Sequence, residues 1–221
     1  MELLHKANIF IHLASGTIAL ILGLIALLTI KGSKQHNLVG RYFLRLIAFV
    51  ILTGLIGVFV FERNTFLLVI TVLSGYVSLS GYRVLKSKNN EVNKTDIALS
   101  IISLIVLAYF LYYFQSIGMI WSPIVIYSTV GALLFVLLYD FLRYFIPKEA
   151  YKRHRIWLYE HIYKMMSAFS ALLSAFAGTV LEAYQPHSQY LPSALCMGII
   201  LGFMFYVYAY GLKRMSNMPR E

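Results

Sequence analysis

The sequence predicts an all-α polytopic membrane protein, a bundle of seven transmembrane helices with its amino terminus outside and its carboxy terminus in the cytoplasm. Three observations carry that expectation. The 221-residue chain is 60% hydrophobic and only 13% charged, whereas roughly a quarter of the residues of a soluble domain are charged. Its apolar residues fall into runs of about 20, the length that crosses the hydrocarbon core. The runs are continuous and do not alternate, which selects helices over a barrel.

The expected spans are approximately 7–30, 42–61, 65–85, 97–115, 120–145, 156–181 and 191–212, and residues 1–221 form a single transmembrane domain. The first run is too long for a signal h-region and no small-residue cleavage site follows it, so it is expected to be a retained span. Within it His12, Gly16, Ala19, Gly23 and Ala26 share one face, where small residues let a neighbouring helix approach. Span three carries Ser74, Gly75, Tyr76, Ser78, Ser80, Gly81 and Tyr82. It is polar enough either to line a pocket or to hydrogen-bond its neighbours. Span five closes on Asp140 and Arg143. Span six has a small-residue stripe, Ser167, Ala171, Ser174 and Gly178. Near its start Glu160 and Lys164 are spaced for an i,i+4 ion pair at the interface.

Orientation follows from the basic residues. Lys31, Lys34, Arg41 and Arg45, then Arg83, Lys86, Lys88 and Lys94, then Arg143, Lys148, Lys152, Arg153, Arg155 and Lys164, then Lys213, Arg214 and Arg220 all fall on one side. Of the 19 Lys and Arg residues only Lys6 and Arg63 remain for the other. Short loops with that bias face the cytoplasm. The net charge of +10 is therefore read as basic loops at an anionic membrane surface, and no compact basic domain exists to bind nucleic acid. A lone cysteine, Cys196, permits no intrachain disulfide. Span seven lacks the mid-span lysine that a retinal protein needs. Arg45, Asp140, Glu160, Lys164 and Glu182 are expected near span ends, where acids and long basic side chains reach water. The apolar interior is thus expected to be nearly free of charge, which disfavours a proton pump or voltage sensor.

Depth sorts the candidate site residues. His36, Asp140, Arg143 and His161 are expected together at the cytoplasmic end. Two imidazoles and a carboxylate, His36, His161 and Asp140, suit a divalent transition metal, and the two imidazoles alone suit haem. Arg143 would pair with Asp140 or with an anionic substituent of the ligand. The structural alternative is a polar network in which His161 bonds Asp140 and Arg143 reaches toward lipid phosphate. His12 forms a separate outer site, roughly 20 Å from His161 along the membrane normal at 1.5 Å rise per residue. No HExxH or HxxxH spacing is present.

Lys31-Gly32, His36 and Gly40-Arg41 make a KG…H…GR signature. Together with His12, residues 74–83, Asp140, Arg143, Trp157, His161 and Met165, it resembles uncharacterised bacterial inner-membrane proteins, some grouped with domain of unknown function 2306. The resemblance spans the first six helices and implies a multi-pass protein of the bacterial inner membrane, with no activity attached. It does not align cleanly around residues 116–123 or in span seven. The function expected is binding of a small ligand, metal ion or haem in an interhelical histidine-containing pocket, for redox or transport work. The alternatives are a non-catalytic subunit or assembly partner of a membrane complex, and an intramembrane hydrolase. Besides the bilayer, the partners these readings imply are another membrane protein or further copies of the chain.

Overall fold

The computed structural model describes residues 1–61, 66–117 and 122–210. Among them are eight α-helices and no strand: α1 Glu2–Leu28, α2 Lys34–Phe59, α3 Phe66–Ser87, α4 Lys94–Ile117, α5 Pro123–Leu142, the short α6 Lys148–Arg153, α7 Ile156–Val180 and α8 His187–Tyr210. Each expected span corresponds to a helix. Arg63 and the tail residues Lys213, Arg214 and Arg220 lie outside the described residues. Six of the helices are long and apolar enough to cross a membrane, and the chain is a multi-pass membrane protein on that ground. The exception among the long helices is α7, whose first half carries Glu160, His161 and Lys164.

The first turn is built by the KG…H residues. Lys31 Nζ donates to the carbonyls of Ala26 (3.1 Å) and Thr29 (3.3 Å), capping the end of α1. Gly32 takes φ +83°, a left-handed conformation that costs a residue without a Cβ little. Ser33 then caps α2 by accepting from His36 N at 3.1 Å, and His36 Nδ1 donates back to Ala26 O at 3.0 Å. The signature is, at this level, a recipe for an antiparallel helix pair. Burial pushes the Lys31 ammonium down from its ordinary pKa.

Helices α3 and α7 form the centre. They pack extensively on each other; α3 also meets α2, α4 and α5, while α7 meets α1 and α8. Half of the span of α3 is buried, against 11% for α8. Close approach is made by small residues. A Cβ on Gly23 would stand 2.6 Å from Phe169 Cδ2 and 3.0 Å from Phe43 Cε2, and one on Gly81 would stand 2.9 Å from Lys164 Cβ. Ser174 and Ser193 share a 2.7 Å hydrogen bond between α7 and α8. The core joins Phe43, Tyr76, Phe110, Leu133 and Ala168, while Leu24, Phe49, Ile105, Phe135 and Phe205 face outward. Such an apolar exterior needs no explanation once lipid is the solvent.

Candidate functional site

The ends of α3 and α5 meet the starts of α4 and α7 at the basic end of the bundle, and there the structure departs from expectation. Asp140, Glu160 and Lys164 do not reach water. They are 6%, 3% and 1% exposed, and Arg143 is 6% exposed. Glu160 and Lys164 also do not pair with each other. Lys164 Nζ donates to Asp140 Oδ1 and Oδ2 at 2.6 and 2.8 Å, and Arg143 NH1 donates to Glu160 Oε2 at 2.8 Å.

The crossed pairing follows from chain direction. Helix α5 runs toward the basic end, so Arg143 lies nearer that end than Asp140. Helix α7 runs away from it, so Glu160 lies nearer than Lys164, which is about 12 Å along α7 from Ile156 at 1.5 Å per residue. Like depth therefore meets unlike charge. Gly81 lets α7 close on α3 at this level. The interior cluster is the correction to an apolar core nearly free of ionisable groups. Charges buried in a low-dielectric bundle are tolerated only when paired and hydrogen-bonded.

The remaining lone pairs are satisfied locally. Tyr76 OH donates to Asp140 Oδ2 at 2.7 Å and lies 3.2 Å from Ser100 Oγ. Tyr139 OH donates to Glu160 Oε1 at 2.9 Å. Burial and the nearby Glu160 carboxylate push the phenol of Tyr151, on α6, up. Toward the surface Arg83 Nε donates to Asp96 Oδ1 at 2.6 Å, and Asp96 Oδ2 stands 3.7 Å from Arg143 NH2. Three acids, Asp96, Asp140 and Glu160, thus balance three bases, Arg83, Arg143 and Lys164.

A cavity of about 170 Å³ borders this network. Its lining runs from the buried Tyr76, Ser80, Asp140 and Arg143 through the half-buried Arg83, Asn89 and Asp96 to the exposed Glu91, Val92 and Asn93 at its mouth. The loop between α3 and α4 is held over it by Asn90, whose Nδ2 donates to the carbonyls of Arg143 (3.0 Å) and Ile146 (2.7 Å). Glu91 is tied to Lys148 at 3.0 Å, and that hydrogen bond holds the Glu91 carboxyl below the usual carboxylate range.

The four residues expected to converge separate into two groups. Asp140 and Arg143 belong to the charge network, 4.0 Å apart. His36 bonds Ala26 O, and His161 Nδ1 donates to Gly81 O at 3.0 Å, not to Asp140. The expected metal triad of His36, Asp140 and His161 does not form, because Lys164 and Tyr76 occupy both oxygens of Asp140. Among the described residues no three His, Cys, Asp or Glu side chains are placed to hold a metal ion. Arg143 points to Glu160 and not toward lipid phosphate. His12 sits apart, its Nδ1 2.8 Å from Thr53 Oγ1. Thr53 gives its own proton to Phe49 O at 2.8 Å, so the imidazole is the donor, and Asn8 adds a 3.1 Å bond to Thr53 O. That arrangement is a packed α1–α2 contact. Sequence reasoning paired Glu160 with Lys164 and met Tyr76 and Arg83 only singly; no spacing along the chain joins them to Asp140 and Arg143. Comparison with protein-family models, curated proteins and solved structures finds no match to this chain.

Proposed function

We propose that the chain is a seven-span protein of the bacterial inner membrane, amino terminus outside, that binds a small polar ligand in the charged cavity at its cytoplasmic end as a step in transport. The observation that carries this reading is the cavity itself: a polar space of about 170 Å³ set against a network of six ionisable groups, of which Asp140, Arg143, Glu160 and Lys164 are buried. Ionisable groups inside a transmembrane bundle are costly and mark ligand or ion pathways. Helix α7 serves as the seventh span because its charged residues turn inward. The basic loops supply the orientation, and the resemblance noted above supplies the membrane. The test uses the purified protein in lipid nanodiscs. Small molecules released on denaturation are identified by mass spectrometry, then titrated back. Val92→Trp, at the exposed cavity mouth, should abolish binding without unfolding the chain. No bound or titratable small molecule in either protein would overturn the reading.

One observation favours a second reading, haem held by His36 and His161. Each Nδ1 faces a carbonyl and must carry the proton, which leaves Nε2 as the metal-binding nitrogen. A Soret band in the purified protein, lost in His161→Ala, is its expected signature; a colourless protein reconstituted with haemin without spectral change excludes it.

A further inference from the structure

Resting on the ligand-binding reading above, we propose that the cavity takes a small oxyanion, a carboxylate- or phosphate-bearing group, held between the guanidiniums of Arg83 and Arg143. The hydrogen-bonding capacity left in the cavity decides its class. The deep acceptors are committed: both oxygens of Asp140 accept from Lys164, and Oδ2 also from Tyr76. The donors are not. Arg143 Nε and Ser80 Oγ have no hydrogen-bond partner among the described residues, and both residues line the cavity while being only 6% and 8% exposed. An unpartnered buried donor is costly, and a group with several acceptor oxygens satisfies it. Among the described residues Arg83 commits only its Nε, to Asp96. A cation placed here would face two guanidiniums.

Asp96 shows the geometry a ligand would use. Its carboxylate already bridges the two arginines, tightly to Arg83 at 2.6 Å and loosely to Arg143 at 3.7 Å. Forked guanidinium recognition of a planar or tetrahedral oxyanion is the strong form of this contact. With three acids set against three bases, an entering anion gains only by displacing Asp96 from the arginines. Asp96 is therefore a competitor of the ligand. The other charged groups facing it are Asp140 and, at the mouth, Glu91, which Lys148 neutralises. Size sets the other limit. A cavity of about 150 Å³ holds one benzene, so the occupant of a cavity of about 170 Å³ is a small acid, inorganic phosphate or the terminal group of an anionic lipid, and not a nucleotide.

The experiment titrates protein in phosphatidylcholine nanodiscs with succinate and inorganic phosphate by calorimetry, with choline and glucose as cationic and neutral probes. A parallel set of nanodiscs contains phosphatidylglycerol. Oxyanion binding is expected, weakened at least tenfold by Arg83→Gln and by Ser80→Ala, and strengthened at least threefold by Asp96→Asn. That rise in affinity is what a merely structural Asp96 would not produce. Saturation by succinate or phosphate in both sets of nanodiscs identifies a free solute as the source. A soluble anion that binds only where phosphatidylglycerol is absent identifies the lipid headgroup as the natural occupant. Binding of choline or glucose with no oxyanion binding overturns the oxyanion assignment and leaves the ligand pocket standing. An Asp96→Asn protein that folds and binds oxyanions no better than wild type also overturns it. Failure of every probe, together with no ligand released from the purified protein, removes the pocket reading as well.

Discussion

At the scale of single residues, Lys164 and Asp140 define what this protein must protect. Each is nearly sealed from the surface, and each has the other as its charged partner. Removing one leaves an uncompensated charge in the bundle, which typically costs about 3–5 kcal/mol, while replacing both with apolar or neutral groups of similar volume is far milder. Lys164→Met and Asp140→Asn should therefore each lower Tm sharply in detergent, and the double variant should melt closer to wild type than either. A Lys164→Met protein that melts like wild type would show that the pair holds no buried charge. Asn90 acts at the same scale. Asn90→Ala strands the carbonyl of Ile146, leaves that of Arg143 with only the Ile146 N–H, and should cost about 1–3 kcal/mol, read as a lower Tm with the helices otherwise intact.

At the scale of helices, glycine position separates contact from lipid exposure. Gly23 and Gly81 sit where an added Cβ would meet Phe169 or Lys164 at under 3.0 Å, whereas a Cβ added at Gly202 would meet nothing within 4 Å among the described residues. Overfilling a packed contact costs about 1–3 kcal/mol. Gly23→Leu and Gly81→Val should each depress Tm, and Gly202→Leu, facing outward on α8, should not. Equal melting of all three would mean that the helices are not held by these close approaches. The two sites differ in consequence. Gly23 opposes aromatic side chains that can tilt, but Gly81 opposes a Cβ fixed to the backbone of α7, so Gly81→Val should also disturb the charge network.

At the scale of the whole molecule, the crossing proposed for α7 is what topology mapping tests. It is 25 residues long, yet its charged first half keeps it apart from the six helices that are apolar enough by themselves. Reporter fusions after Lys152 and at His187 flank it. The first should read cytoplasm and the second outside, with a fusion after Lys88 reading cytoplasm and one at Ser116 reading outside. The same side at Lys152 and His187 would remove the seventh crossing and reverse the placement of α8.

The positions of the helices were legible from sequence alone, because hydrophobic run length is a local property and the bilayer demands a fixed span. So were the small-residue faces at Gly16, Gly23, Ser174 and Gly178, since 3.6-residue periodicity puts them in register whatever the neighbour is. The partners of the charges were not legible. Glu160 and Lys164 have the spacing of an intrahelical pair, and only the antiparallel placement of α5 beside α7 sends one to Arg143 and the other to Asp140. The same holds for His161, whose proton goes to Gly81 because α3 lies against it, and for the cavity, whose walls come from residues as distant as Tyr76 and Tyr144. Sequence by itself determined which segments leave water. Tertiary structure decided which polar groups leave it with them, because a buried charge is stabilised by the partner in contact with it and not by its neighbours along the chain.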